Sequence, residues 1–140
     1  MDDVLLNKAA IIERCLIRVN EEYQDHEHEL ETDFTRQDAI VLNLQRACEP
    51  SIDAAMHLVR IYRLGVPQQS REAFALLADA GMVDAGLRER LEAMVGFRNV
   101  AVHDYRKLNL AIVRSIIERD FDDFRAFASI LIERAGESDE

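Results

Sequence analysis

Apolar residues return every three or four positions along almost the whole chain, a period that suits helices and not strands. Leu5, Ala9, Ile12, Leu16, Val19 and Tyr23 form the first stripe. Asp2 or Asp3 caps its start and meets the positive end of the helix dipole. A second stripe, Val41, Leu44, Cys48, Ile52, Ala55, Val59 and Tyr62, follows Thr35-Arg36-Gln37-Asp38, which has the form of a capping box. Pro50 removes one backbone donor inside it, yet the stripe keeps phase from Cys48 to Ile52. The expectation is one kinked helix ending near Gly65-Val66-Pro67. Ser70 caps a short third helix, Arg71 to Ala80, closed by Gly81. Asp84 caps a fourth, with Leu87, Leu91, Met94 and Val95. Asn109 caps a fifth, with Leu110, Val113, Ile117, Phe121, Phe124, Ala128 and Leu131 on one stripe. The fold expected is all-α: an antiparallel up-and-down helical bundle of four main helices plus one short helix. It is expected as a single domain over 1–140, with an acidic frayed tail at 136–140.

Composition narrows the alternatives. Five Gly and two Pro in 140 residues leave little turn chemistry for a sandwich, a barrel or a Gly-rich phosphate loop. No apolar run approaches the ~18 residues of a membrane span. The start, Met1-Asp2-Asp3, is acidic where a targeting signal is basic, so a cytoplasmic protein without membrane attachment is expected. Cys15 and Cys48 fall on apolar stripes and read as buried free thiols. The acidic run Glu21, Glu22, Asp25, Glu27, Glu29, Glu31 and Asp33 reads as a solvated face. His26 and His28, two apart on a helix, point ~200° from each other and cannot share a metal ion. His57 reads as a core-edge or interface histidine. No Walker loop, nucleophile elbow or zinc spacing occurs, and no cofactor or metal is expected.

The chemistry concentrates in Gly96-Phe97-Arg98-Asn99-Val100-Ala101-Val102-His103-Asp104-Tyr105. On a continuous helix with Arg98 at zero, Tyr105 falls near −20°, Asn99 near ~100° and His103 near ~140°. Leu91, Val95 and Val102 fall within the same arc, so this mixed face reads as one covered by another chain, or as a groove beside one. An imidazole moves protons near neutral pH, and a guanidinium holds a permanent charge for phosphate oxygens. RNA brings its own nucleophile, the 2′-OH, so one acid/base group and one cation suffice to cleave it without metal. Spacing alone describes a structural polar cluster more readily than a catalytic pair, and position alone has Tyr105 packing at the helix end. The chain's net charge of −10 opposes polyanion binding. The window Gly86–Lys107, however, holds five basic residues against three acidic ones, a net +2.

Phe97-Arg98-Asn99 followed by His103-Asp104-Tyr105 resembles the Arg-x4-His-x-Tyr signature of the HepT-like toxins within the HEPN superfamily. The resemblance covers nearly the whole chain, including the Leu-Glu-Ala-Met-Val-Gly-Phe lead-in and the long final helix. It implies a homodimeric, metal-independent ribonuclease toxin, partnered with an MNT-type nucleotidyltransferase antitoxin. It places the catalytic pair on Arg98 and His103, a polar helper on Asn99, and the tyrosine that the antitoxin modifies with AMP on Tyr105. A different class of protein remains open beside it: a non-catalytic helical dimer module that binds a nucleotidyltransferase.

Overall fold

Each apolar stripe becomes the buried face of a helix. In the computed structural model, which describes residues 1–137, the helices are α1 (Asp3–Tyr23), α2 (Phe34–Ile61), α3 (Ser70–Asp79), α4 (Ala85–His103), α5 (Leu110–Ser115) and α6 (Phe121–Glu137). A π-helical turn, Ile116–Asp120, joins α5 to α6 without a break, so the two form the single long fifth helix that the stripe implies. The chain is all-α, and no strand occurs among the described residues. Cross-helix contacts mark the directions. Lys8–Asp53 and Arg36–Glu22 run α1 against α2, and the bond from Asp2 N–H to Ala135 C=O brings the start of α1 to the end of α6.

The caps show local chemistry at work. Asp2 accepts from Val4 and Leu5 N–H, Asp84 from Leu87 N–H and Asn109 from Ala111 N–H, as their positions imply. Two expected caps move. Asp33, not Thr35, caps α2 by accepting from Arg36 N–H, and Ser70 is the first residue of α3, preceded by Gln69. Helix α2 runs uninterrupted through Pro50 and stops at Ile61, earlier than Gly65. The stop is a Schellman turn on an arginine: Arg63 has φ 54°, with Leu64 N–H bonding Val59 C=O and Arg63 N–H bonding Arg60 C=O. Gly81, at φ 77°, does the same for α3.

The π turn has a cause in the stripe. Val113, Ile117 and Phe121 are separated by two successive steps of four, which drift about 80° on an ideal α-helix. The wider turn absorbs that drift, and all three residues stay buried. At the other end, Gly136 and Glu137 close α6 and are not part of a frayed tail, while 138–140 lie outside the described residues. The acidic run is also not simply solvated. Arg36 reaches Glu22 and Glu29, Arg114 reaches Glu31, and His26 pairs with Glu29 beside a 3-10 turn, not on α1.

The core gathers Leu5, Ile12, Leu16, Leu44, Leu58, Phe124, Phe127 and Leu131, and both cysteines are buried as free thiols. Burial pushes the Cys48 thiol up to about 12, so it acts as a small hydrophobe. His57 Nε2 lies 2.8 Å from Asp2 Oδ2, a structural clamp on the start of α1. Short α3 is held by Ala73, Phe74 and Leu77, with the Phe74 ring edge-on to Phe127 at 5.7 Å. Phe74→Ala therefore should lower unfolding free energy by about 3–5 kcal/mol in urea denaturation. A loss below about 1 kcal/mol would show that α3 is not anchored through this ring.

Candidate functional site

Helix α4 packs on α2 and α3 and runs antiparallel to α2, and those neighbours sort its polar residues. Arg98 turns towards them. Its Nη1 donates to both oxygens of Glu49 on α2 at 2.9 and 3.0 Å, and its Nε donates to Asn99 Oδ1 at 3.0 Å. Its Nη2 lies 3.5 Å from Ser70 Oγ at the start of α3. The guanidinium side chain is only 20% exposed, so two other helices fix the direction of this cation. Asn99 and His103 are exposed, and the His103 imidazole has no hydrogen-bond partner among the described residues.

Tyr105 departs from the helical projection. Helix α4 ends at His103, with Asp104 as C-cap at φ −154°, and Tyr105 opens a 3-10 turn, Tyr105–Lys107. Tyr105 therefore does not sit two α-helical turns beyond Arg98. Its phenol donates instead to Asp38 Oδ1 on α2 at 2.7 Å. Asp38 and Glu49 are eleven residues apart on α2, which places them within ~20° of one line and about 16 Å apart along the axis. Arg98 and Tyr105 thus meet the same edge of α2 at separate stations. No hydrogen bond or ion pair joins Arg98, His103 and Tyr105 to one another. Burial first, then the hydrogen bond and charge of Asp38, push the Tyr105 phenol up to about 12.

The mixed arc also divides. Leu91 and Val95 belong to the chain's own core, leaving Val102 at 47% exposed, while Val100, 38% exposed, lies outside the arc on the side of α4 that faces α5. Across from Val100, Ile112 of α5 is 51% exposed. Phe97, Val100, Leu108, Ile112 and Ile116 line a largely apolar groove of about 400 Å³ between the two helices. Most of the basic window is neutralised. Arg88 pairs with Glu92, Arg90 with Asp123, Arg98 with Glu49 and Lys107 with Asp104. Of its five cations, only Arg106 has no such partner among the described residues. Asp104 serves Lys107 and not His103.

Spacing arguments missed Glu49, Ser70 and Asp38, because each reaches the site from another element. The available signal was a pair of carboxylates in register on the polar edge of amphipathic α2.

An all-helical bundle displaying this Arg–His–Tyr segment defines the class. Residues 12–131 match the model of the HepT-like family, described as "Ribonuclease HepT-like", and the chain belongs to that family. It is 44% identical over 131 residues to the mRNA nuclease HepT of Shewanella oneidensis, covering 94% of this chain and 98% of that protein. Among solved structures, it resembles the tri-AMPylated HEPN toxin of Shewanella oneidensis in complex with its MNT antitoxin. That match has a TM-score of 0.89 and 44% identity, over 95% of this chain and 99% of that one. A toxin–antitoxin complex with AMP-PNP matches with a TM-score of 0.90 and 42% identity, over 94% and 99%.

Replacing Asp38 by Asn removes the charge acting on the Tyr105 phenol while leaving its burial. In an ultraviolet titration of the phenolate, Asp38→Asn should ionise Tyr105 at lower pH than the parent chain. An unchanged titration would show that the carboxylate does not act on that hydroxyl.

Proposed function

We propose that this chain is the toxin of a toxin–antitoxin pair, an endoribonuclease that cleaves RNA without a metal ion. In this reading a partner MNT-type nucleotidyltransferase silences it by placing AMP on Tyr105. The observation that carries the reading is the Arg98/His103 pair on α4 of a chain belonging to a ribonuclease family. The 2′-OH attacks the adjacent phosphorus, His103 moves the protons and Arg98 stabilises the charge that develops on the phosphorane. Asn99, bonded to the Arg98 Nε, helps orient that cation. The 5′-oxygen leaves and the product ends in a 2′,3′-cyclic phosphate. The histidine and the cation cover the acid/base and charge-stabilising roles, so no resident metal or cofactor is required. In this reading the chain works in the cytoplasm, beside its RNA substrate. The relatives' AMPylated and antitoxin-bound forms support the control arm, and the exposure of Tyr105 at 41% supports access by a modifying enzyme.

Arg98 and His103 do not touch within one chain, which favours a site assembled by two. Val100 and Ile112 at the apolar groove provide the seam for a two-fold homodimer that brings two motifs into one cleft.

Arg98→Ala and His103→Ala each should reduce RNA cleavage by about 10²-fold or more, while EDTA leaves the parent activity unchanged. Cleavage that appears only with added Mg²⁺ would overturn the mechanism. Light scattering should give about twice the 16.0 kDa of one chain, and a monomer at micromolar concentration would remove the shared cleft.

A further inference from the structure

Tyr105 is not a free surface phenol. Its hydroxyl is directed at one carboxylate, Asp38 Oδ1, across 2.7 Å, from a turn that follows α4 to a residue in the second turn of α2. Both residues are exposed, so this bond adds little to the core, and a nucleotide can approach from solvent. The other charged groups of the turn are Asp104 and Lys107, which pair with each other, and Arg106. The side-chain carboxylate aligned with the phenolic hydrogen is therefore that of Asp38.

A phenol is a poor nucleophile until its proton leaves, and a burial-raised phenol more so. A carboxylate at hydrogen-bond distance meets the geometric requirement for a general base. We propose that Asp38 of this chain accepts the phenolic proton when Tyr105 receives AMP. This rests on the reading of Tyr105 as the modified residue. It assigns part of the chemistry to the target protein and not to the nucleotidyltransferase alone.

The step balances as follows. The Tyr105 oxygen attacks the α-phosphorus of ATP, forming the phenolic O–P bond. The bond from that phosphorus to the bridging oxygen of the β-phosphate breaks, and pyrophosphate leaves with the electron pair. The phenolic proton passes to Asp38 and then to solvent, which restores the carboxylate. The product oxygen has no hydrogen left to donate, and its phosphodiester is an anion beside Asp38. Modification thereby replaces an attraction between residue 105 and α2 with a repulsion.

The test follows the first AMP addition by intact-mass spectrometry, using the full chain, its cognate nucleotidyltransferase and ATP. Asp38→Asn keeps a hydrogen-bond acceptor of the same size but is far less basic, while Asp38→Glu keeps the carboxylate. Because Asp38 is exposed, both variants should retain the parent thermal melt. Asp38→Asn should be modified about 10²-fold more slowly near pH 7, with the deficit shrinking towards about pH 9 as hydroxide replaces the missing base. Asp38→Glu should recover most of the rate. Taking each rate relative to the parent chain cancels titrations belonging to the partner enzyme. An Asp38→Asn rate equal to the parent's would overturn the assignment. A deficit constant with pH would reduce Asp38 to a positioning residue and overturn it equally. If the parent chain gains no AMP, or Tyr105→Phe still gains it, the modification reading itself falls, and the role of Asp38 with it.

Discussion

The apolar face of α2 is the constraint on which the other helices depend. Ile40, Leu44, Ala47, Cys48, Ala54, Ala55 and Leu58 are all buried, so the face is wide enough for α1, α3, α4 and α6 to pack against one helix. Small residues at Ala47, Ala54 and Ala55 allow that approach. What remains of α2's circumference is a polar edge, and Asp38 and Glu49 lie on it. The helix that organises the core therefore also sets where Arg98 and Tyr105 are held. A change in its packing alters the fold and the site together.

Much of this was legible in the residues, for identifiable reasons. The stripe of α1 is strict, and each residue named for it is buried. Capping residues that stand alone before a stripe, such as Asp84 and Asn109, could be read directly. The α2 start was misplaced because Asp33 and Thr35 offer competing oxygens two residues apart, and only backbone geometry chooses between them. Its end was misplaced because a left-handed φ normally suggests Gly, and here Arg63 adopts it.

The site was legible in part. Arg98, Asn99 and His103 follow helical geometry, and their relation on α4 could be projected. Tyr105 could not, because nothing between Arg98 and Tyr105 marks the helix end after His103. Angular projection alone puts Leu91 and Val95 on the mixed face, because it cannot say which neighbour covers an arc. Partners from distant sequence, Glu49 and Asp38 above all, leave no trace in the spacing of the motif they serve. Family resemblance identified the motif, while tertiary contacts supplied its surroundings.

The bond between Arg98 and Glu49 has a consequence for discrimination. A guanidinium that already holds its counter-ion projects little field beyond a few ångströms, and the acidic body around it repels polyanions at longer range. If RNA is its substrate, as proposed, such a chain does not gather nucleic acid indiscriminately. A phosphate must come close enough to share or exchange the Glu49 contact before it gains the cation, so engagement behaves as an ion-exchange threshold and not as diffuse attraction. In the proposed reading, selectivity then begins at the phosphate contact, before any base is read.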